Sequence, residues 1–439
     1  MKRFTIFFFL ALSFSVFAHE WKEQTSGTKK DLLSISSVTN KIAWISGMHG
    51  IVLRTVDEGN TWQSVGGGTV LDTMDILNIF AIDSSRALCS ASPLTDTINK
   101  KTTAYIFKTN NGGKTWTKVF TQTGSLINGI FMIDSSMGVA CGNPVNGKWS
   151  IWKTTDGGAS WDTTGIKIPK AAASDSGWNN SVWGDSLSKM IAFGTNDSTL
   201  YVSVDSGKTW TAKPTKSMKD ISAIFFSNDN GLLGGDSLLR TTDKGNTWRT
   251  LNASGTGLIT GIIVHENWDS FMTRLGTKAA PDNHIYTSQN FGDSTWNVAY
   301  TAPDTNAYLY LTQARNGEGN AWAVRKGGGI TYGQHSSSES STSGVSNSST
   351  QPLSYSLSQN YPNPFNPSTT IRFSIPEARL VSIKVYDVMG KEVTVLMNEV
   401  RNPGSYSVQF NASNLPSGIY IYRIQAGAFT ESRKLVLLK

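Results

Sequence analysis

The octet TVDEGNTW, Thr55 to Trp62, recurs as TNNGGKTW (Thr109 to Trp116), TTDGGASW (Thr154 to Trp161), SVDSGKTW (Ser203 to Trp210) and TTDKGNTW (Thr241 to Trp248). A looser copy, SQNFGDSTW, runs from Ser288 to Trp296 with one extra residue. The closing tryptophans fall 54, 45, 49, 38 and 48 residues apart. The octet has the chemistry of a turn. Asp57, Asp156, Asp205 and Asp243 can accept from backbone N–H groups just ahead of them, and Asn111 takes this place in the second copy. Gly59, Gly113, Gly158, Gly207 and Gly245 suit the positive φ of a tight turn. Trp62, Trp116, Trp161, Trp210, Trp248 and Trp296 are large apolar groups fitted to pack between neighbouring sheets.

Each octet follows a β-rich run such as IAWISGMHGIVLRT (Ile42 to Thr55), in which apolar residues alternate with Gly, Asn, Asp and Ser turn signals. A unit therefore reads strand, turn, strand, turn, strand, octet, strand. Four antiparallel strands in about 45 residues make a propeller blade. Inner three-strand groups lie near residues 32–56, 76–109, 127–154, 179–204, 221–242, 258–288 and 308–332. Six have a following octet, and the seventh ends at Gly327 to Gly333 without one. The segment EWKEQT (Glu20 to Thr25) can supply the missing outer strand, with Trp21 in the place of an octet tryptophan. The expected fold is all-β: a seven-bladed β-propeller closed by the N-terminal strand, followed by a small C-terminal Ig-like β-sandwich.

The octet resembles the Asp-box, or BNR repeat. The longer unit GMHGIVLRTVDEGNTW (Gly47 to Trp62) resembles the photosystem II assembly and stability factor propellers, over roughly residues 20 to 333. The resemblance implies architecture rather than activity, with the boxes on the rim and away from the functional face.

The two ends read as addresses. Lys2 and Arg3 precede an apolar run from Phe4 to Phe17 and a small residue, Ala18, which is the pattern of a cleaved signal peptide over residues 1–18. Cleavage there would make His19 the new terminus. No later stretch is long and apolar enough to span a bilayer, so no transmembrane segment is expected in the mature chain. The propeller is expected over 19–335 and a Ser-rich linker over 336–356. Residues 357–439 carry alternating strands between Gly, Pro and Asn turns. Their motifs YPNPFNP (Tyr361 to Pro367), VYDVMGKEV (Val385 to Val393), LPSGIYIYRI (Leu415 to Ile424) and KLVLLK (Lys434 to Lys439) resemble the type IX secretion system C-terminal sorting domain, type A. That resemblance implies a Gram-negative bacterium, passage through the periplasm to the surface or medium, and the type IX machinery as a partner for 357–439.

Composition narrows the functions. Thirty-nine Lys and Arg against 32 Asp and Glu leave a net charge of +7 over 439 residues, too weak a surplus to argue for nucleic acid. Two cysteines exclude a disulfide scaffold. Cys89 and Cys141 sit one position out of phase in matching runs and are expected as buried free thiols. The five histidines show no metal-ligand spacing, and no metal or cofactor is expected. GDSL occurs twice, from Gly184 and from Gly235, at turn positions where Gly-Asp-Ser is ordinary turn chemistry.

The remaining candidate is the face opposite the boxes. Its loops offer Lys148, Trp178, Arg274, Arg325 and Lys326, with Lys100, Lys101, Lys167, Lys170 and Lys278 adding positive charge and Trp149 further aromatic surface. Such a face suits a non-enzymatic binding or scaffold module for an unidentified protein or polysaccharide. The alternative is a glycoside hydrolase, sialidase- or xyloglucanase-like, at the channel mouth, using face-loop carboxylates such as Asp72, Asp175, Asp282 or Asp304.

Overall fold

The computed structural model describes residues 19–335 and 356–438, apart from short stretches at 95–102, 163–165, 167, 169–173, 187, 217, 228, 266–268, 316–318, 358–359, 361–362, 364, 376–377, 402–403 and 428. The signal-peptide segment, most of the Ser-rich linker and Lys100, Lys101, Lys167 and Lys170 lie outside the described residues. The chain divides into two compact units, Met1–Glu339 and Ser340–Lys439.

In the first unit the strand-turn repeats fold into antiparallel sheets in chain order. The first sheet, typical of the set, runs Leu32–Ser37, Ala43–Gly47, Val52–Thr55 and Gln63–Ser64. Seven such sheets are found among the described residues of this unit. Six have four strands. The third has three, Ile127–Met132, Gly138–Val145 and Lys148–Thr154, and its fourth position is marked only by the bridge between Lys153 and Asp162.

The first strands of successive sheets are neighbours: Leu32–Ser37, Met74–Ala81, Ile127–Met132, Gly177–Asp185, Ala223–Ser227, Ile259–Val264 and Tyr308–Gln313. Tyr308–Gln313 in turn lies beside Leu32–Ser37. Sheet seven takes its outer strand from the other end of the unit. His19–Gln24 pairs antiparallel with Ile330–His335, in the register Trp21 opposite Gly333. This pairing covers an edge that would otherwise expose unpaired backbone groups.

The cores lie between the sheets, where several of the inner and second strands are buried on both faces. Ile127–Met132, Met190–Thr195 and Ile259–Val264 are buried along their whole length. The octet tryptophans join these cores, each against the preceding sheet. Trp116 packs with Trp44 and Val52, Trp210 with Val139 and Cys141, Trp248 with Met190 and Ala192, and Trp296 with Ala223 and Leu232. Trp21 does the same from the N-terminal strand, against the cluster of Ile263 and Phe271. Cys89 and Cys141 are buried free thiols in different clusters, and burial pushes both thiol pKa values up.

The second unit pairs a three-stranded sheet (Ser356–Leu357, Ser368–Ile375, Gly404–Asn411) with a four-stranded one in the order Glu392–Arg401, Arg379–Tyr386, Gly418–Ala426, Phe429–Leu437. Strict alternation along Gly418–Ala426 buries Tyr420, Tyr422, Ile424 and Ala426 on one face, where they meet Ile371, Phe373 and Phe410 of the other sheet. The proline-rich entry anchors the last strand. Phe365 N–H donates to the Val436 carbonyl at 2.9 Å, and Val436 N–H donates to Asn363 Oδ1 at 2.8 Å.

Candidate functional site

Four of the octets close on a hydroxyl as well as a carboxylate. Thr55 Oγ1 accepts from Gly59 N–H at 2.8 Å and donates to Asp57 Oδ1 at 2.8 Å. Asp57 then accepts from the backbone N–H of Thr61 at 3.0 Å and from its hydroxyl at 2.6 Å. Thr154 with Asp156, Ser203 with Asp205 and Thr241 with Asp243 repeat the pattern, and Asn111 stands between Thr109 and Thr115 in the second copy. The side-chain hydrogen bond from Thr61 holds the Asp57 carboxyl below its ordinary pKa, and Thr247 brings Asp243 down to about 2. The leading hydroxyl was legible only as a repeated Ser or Thr, without a role. The glycines are doubly constrained. Gly113, Gly158 and Gly207 have φ of 84°, 83° and 79°, and a β-carbon on each would meet Val65, Leu88 or Val139 of the preceding sheet at 2.6 to 2.8 Å.

The opposite face treats the five candidate binding residues unequally. Lys148 opens the strand Lys148–Thr154 and is exposed, as is Lys326 at the turn after Ala321–Arg325. Trp178 is half-buried, its indole N–H donating to Asp220 Oδ1 at 3.2 Å. Trp149, read as aromatic surface, is buried against Phe193 and Tyr201.

The two arginines belong to strand ends, not to loops, and both are buried. Arg325 is 1% exposed. Its guanidinium pairs with Glu23 and with Asp304 (3.0 Å), and donates to Thr331 Oγ1 at 2.7 Å. Thr331 also donates to Glu23 and meets the Tyr308 hydroxyl, while Tyr300 donates to Glu23 at 3.1 Å. Burial works against the Arg325 charge, but the bonds to Asp304 and Glu23 prevail and raise its pKa. The network therefore fastens the N-terminal strand to sheet seven. Arg274 is 6% exposed, donates to the Gly257 carbonyl at 2.7 Å, and has its pKa lowered by burial.

Three of the four carboxylates named for the hydrolase alternative also have local work. Asp304 holds Arg325, and Asp72 accepts from Gly68 N–H at 2.9 Å. Asp282, buried, accepts from the Tyr286 hydroxyl at 2.9 Å and lies 2.9 Å from His284 Nδ1.

At the centre, asparagines span between sheets. Asn180 Nδ2 donates to the Leu33 carbonyl of sheet one at 2.8 Å, and its Oδ1 accepts from Asn78 of sheet two at 2.6 Å. Asn179 Nδ2 donates to the Leu77 carbonyl at 2.7 Å. Asn180 adopts φ of 64°, which an Asn tolerates better than a bulky residue. Sequence patterning gave no sign of this cross-link, because its partners come from three separate repeats.

Residues 359–438 match the family model of the secretion system C-terminal sorting domain. No curated protein matches the sequence. Among solved structures, the chain is similar to "YCF48 bound to D1 peptide", with a TM-score of 0.54 and 13% identity over 71% of this chain and 96% of that one. It is likewise similar to YCF48 from Cyanidioschyzon merolae, with a TM-score of 0.53 and 17% identity over 71% and 98%. The body is thus a β-propeller of the architecture seen in those YCF48 structures, and the tail is a sorting domain that marks the protein for export.

Proposed function

We propose that this chain is an exported, non-enzymatic propeller that holds an acidic protein segment on the face opposite the octet turns. In this reading residues 1–18 are a cleaved signal, 19–335 the propeller, 336–356 a linker, and 357–439 the address read by the type IX machinery of a Gram-negative cell. The mature protein then ends at the surface or in the medium.

One observation supports the binding reading most. The arginines of this face are consumed inside the fold, whereas Lys148 and Lys326 stand exposed on turns. The Lys326 turn is braced from within: Gly327 N–H donates to Asp31 at 2.9 Å. Exposed ammonium groups on a rigid rim attract acidic partners without ordering the loops at the moment of binding. One structural neighbour was solved with a D1 peptide; a peptide partner for this chain is proposed on its own face.

The test is cross-linking of the exported chain to cell-surface proteins, followed by binding of captured segments to Lys148→Glu and Lys326→Glu variants. Each rim charge reversal should weaken binding mainly through the association rate, with strong salt dependence. Unchanged binding in the double variant would defeat the proposal for this face. Turnover of a glycan lost on Asp282→Asn would replace it with the hydrolase reading.

A further inference from the structure

His19 lies at the start of the strand His19–Gln24, and His265 follows the strand Ile259–Val264. Tertiary structure brings these two histidines, from opposite ends of the propeller chain, to a ring-centroid separation of 4.4 Å with 42° between planes. Phe271 packs on both, at 4.6 Å from His19 and 5.5 Å from His265, and Trp21 stacks on His19 at 5.4 Å. His265 is only 7% exposed.

The tautomer of His19 follows from its partner. Its Nε2 lies 3.1 Å from the Gly319 carbonyl, an acceptor only, so Nε2 carries the proton and Nδ1 the lone pair. A ring N–H donated to a backbone carbonyl is the arrangement that orients and strengthens a metal-ligating imidazole. Nδ1 is also the ring nitrogen that closes a six-membered chelate with the residue's own α-amine. That amine exists only once residues 1–18 are gone.

The spacing of the two rings suits one ion. With one nitrogen of each ring turned to a shared ion at about 2.0 Å, each imidazole centroid would lie roughly 3.1 Å from the metal, and centroids 4.4 Å apart would subtend roughly a right angle. Two nitrogens at a right angle are neighbouring positions of a square-planar or tetragonal site. Two imidazoles leave the set short of a third donor, and a free α-amine on His19 lies within chelating reach of that residue's own Nδ1.

We propose that the processed N-terminus forms a copper(II) site, in which the α-amine and Nδ1 of His19 chelate the ion and the His265 imidazole completes a three-nitrogen set. Nitrogen donors in tetragonal geometry favour copper(II), and the affinity order should be copper above nickel and zinc. The ion joins sheet six to the strand that completes sheet seven. The site rests on cleavage after Ala18, which is part of the export reading above.

The experiment begins with the intact mass of the exported protein, and a terminus other than His19 overturns the site together with that part of the export reading. On the mature full chain, copper(II) titration followed by electron paramagnetic resonance should show one site with nitrogen hyperfine structure. Retaining Ala18 blocks the amine while leaving both imidazoles in place, and should weaken copper binding on the order of 100-fold, as loss of one arm of a chelate does. His265→Ala should weaken it by about 10-fold or more and change the nitrogen hyperfine pattern. Equal affinity with Ala18 retained, or an unchanged spectrum in a His265→Ala protein that melts normally, overturns the chelate alone.

Discussion

Replacing Arg325 by alanine discriminates between two roles for the same residue. As a ligand-binding arginine it could be removed with little effect on folding. As the structure places it, its loss leaves Glu23 and Asp304 facing each other across a cavity, without the cation that holds both. Removing one partner of a fully buried pair costs about 3–5 kcal/mol. Here the arginine side chain is 2% exposed, but Glu23 and Asp304 are 29% and 40% exposed. Water can solvate the stranded carboxylates, so about 2–3 kcal/mol is the better expectation. At roughly 2–4 °C per kcal/mol for a large unit, the melting temperature should fall by about 4–12 °C. Glu23→Gln keeps a hydrogen-bond acceptor and should cost nearer 1 kcal/mol. Hydrogen exchange should localise the damage: amides of His19–Gln24 should lose protection first, since Glu23 is that strand's tie to the network. The assay is calorimetry on the mature chain with peptide-resolved exchange. An Arg325→Ala protein that melts like wild type, with protection of His19–Gln24 intact, would refute this role.

Two further outcomes concern the octet turns. Gly158→Ala asks an alanine to adopt φ of 83° and puts its β-carbon 2.8 Å from Leu88; backbone strain and contact together should cost about 2–4 kcal/mol, read as a shift of the urea midpoint at constant slope. Asp57, Asp156, Asp205 and Asp243 all have pKa values lowered in the fold. Their contribution is therefore present above the unfolded value near 3.8 and is lost as pH falls through the folded values, about 2 for Asp243. Stability measured by chemical denaturation should decline from about pH 5 downward, and Asp243→Asn should flatten that decline. A decline of unchanged slope in the variant would show that other groups govern acid unfolding.

What the sequence determined by itself is whatever depends on neighbours in the chain. The octet is local: seven consecutive residues, Thr55 to Thr61, close its turn, so Asp57, Gly59 and Trp62 are readable as bend, hinge and plug. Alternation along segments such as Gly418–Ala426 is equally local, and so are the tail motifs that name the address. What tertiary structure decided depends on which distant groups meet. Arg325 looked like a surface cation because its string, VRKGGG, is turn-rich; folding brings Glu23 from the other end of the propeller against it, and a buried charge must be paired. Asn180 reaches Leu33 and Asn78 across repeats, and His19 meets His265, for the same reason. Neighbouring first strands bring separate repeats together, and the pairing of His19–Gln24 with Ile330–His335 joins the two ends of the unit, so contacts at both places are made between residues that no local pattern relates.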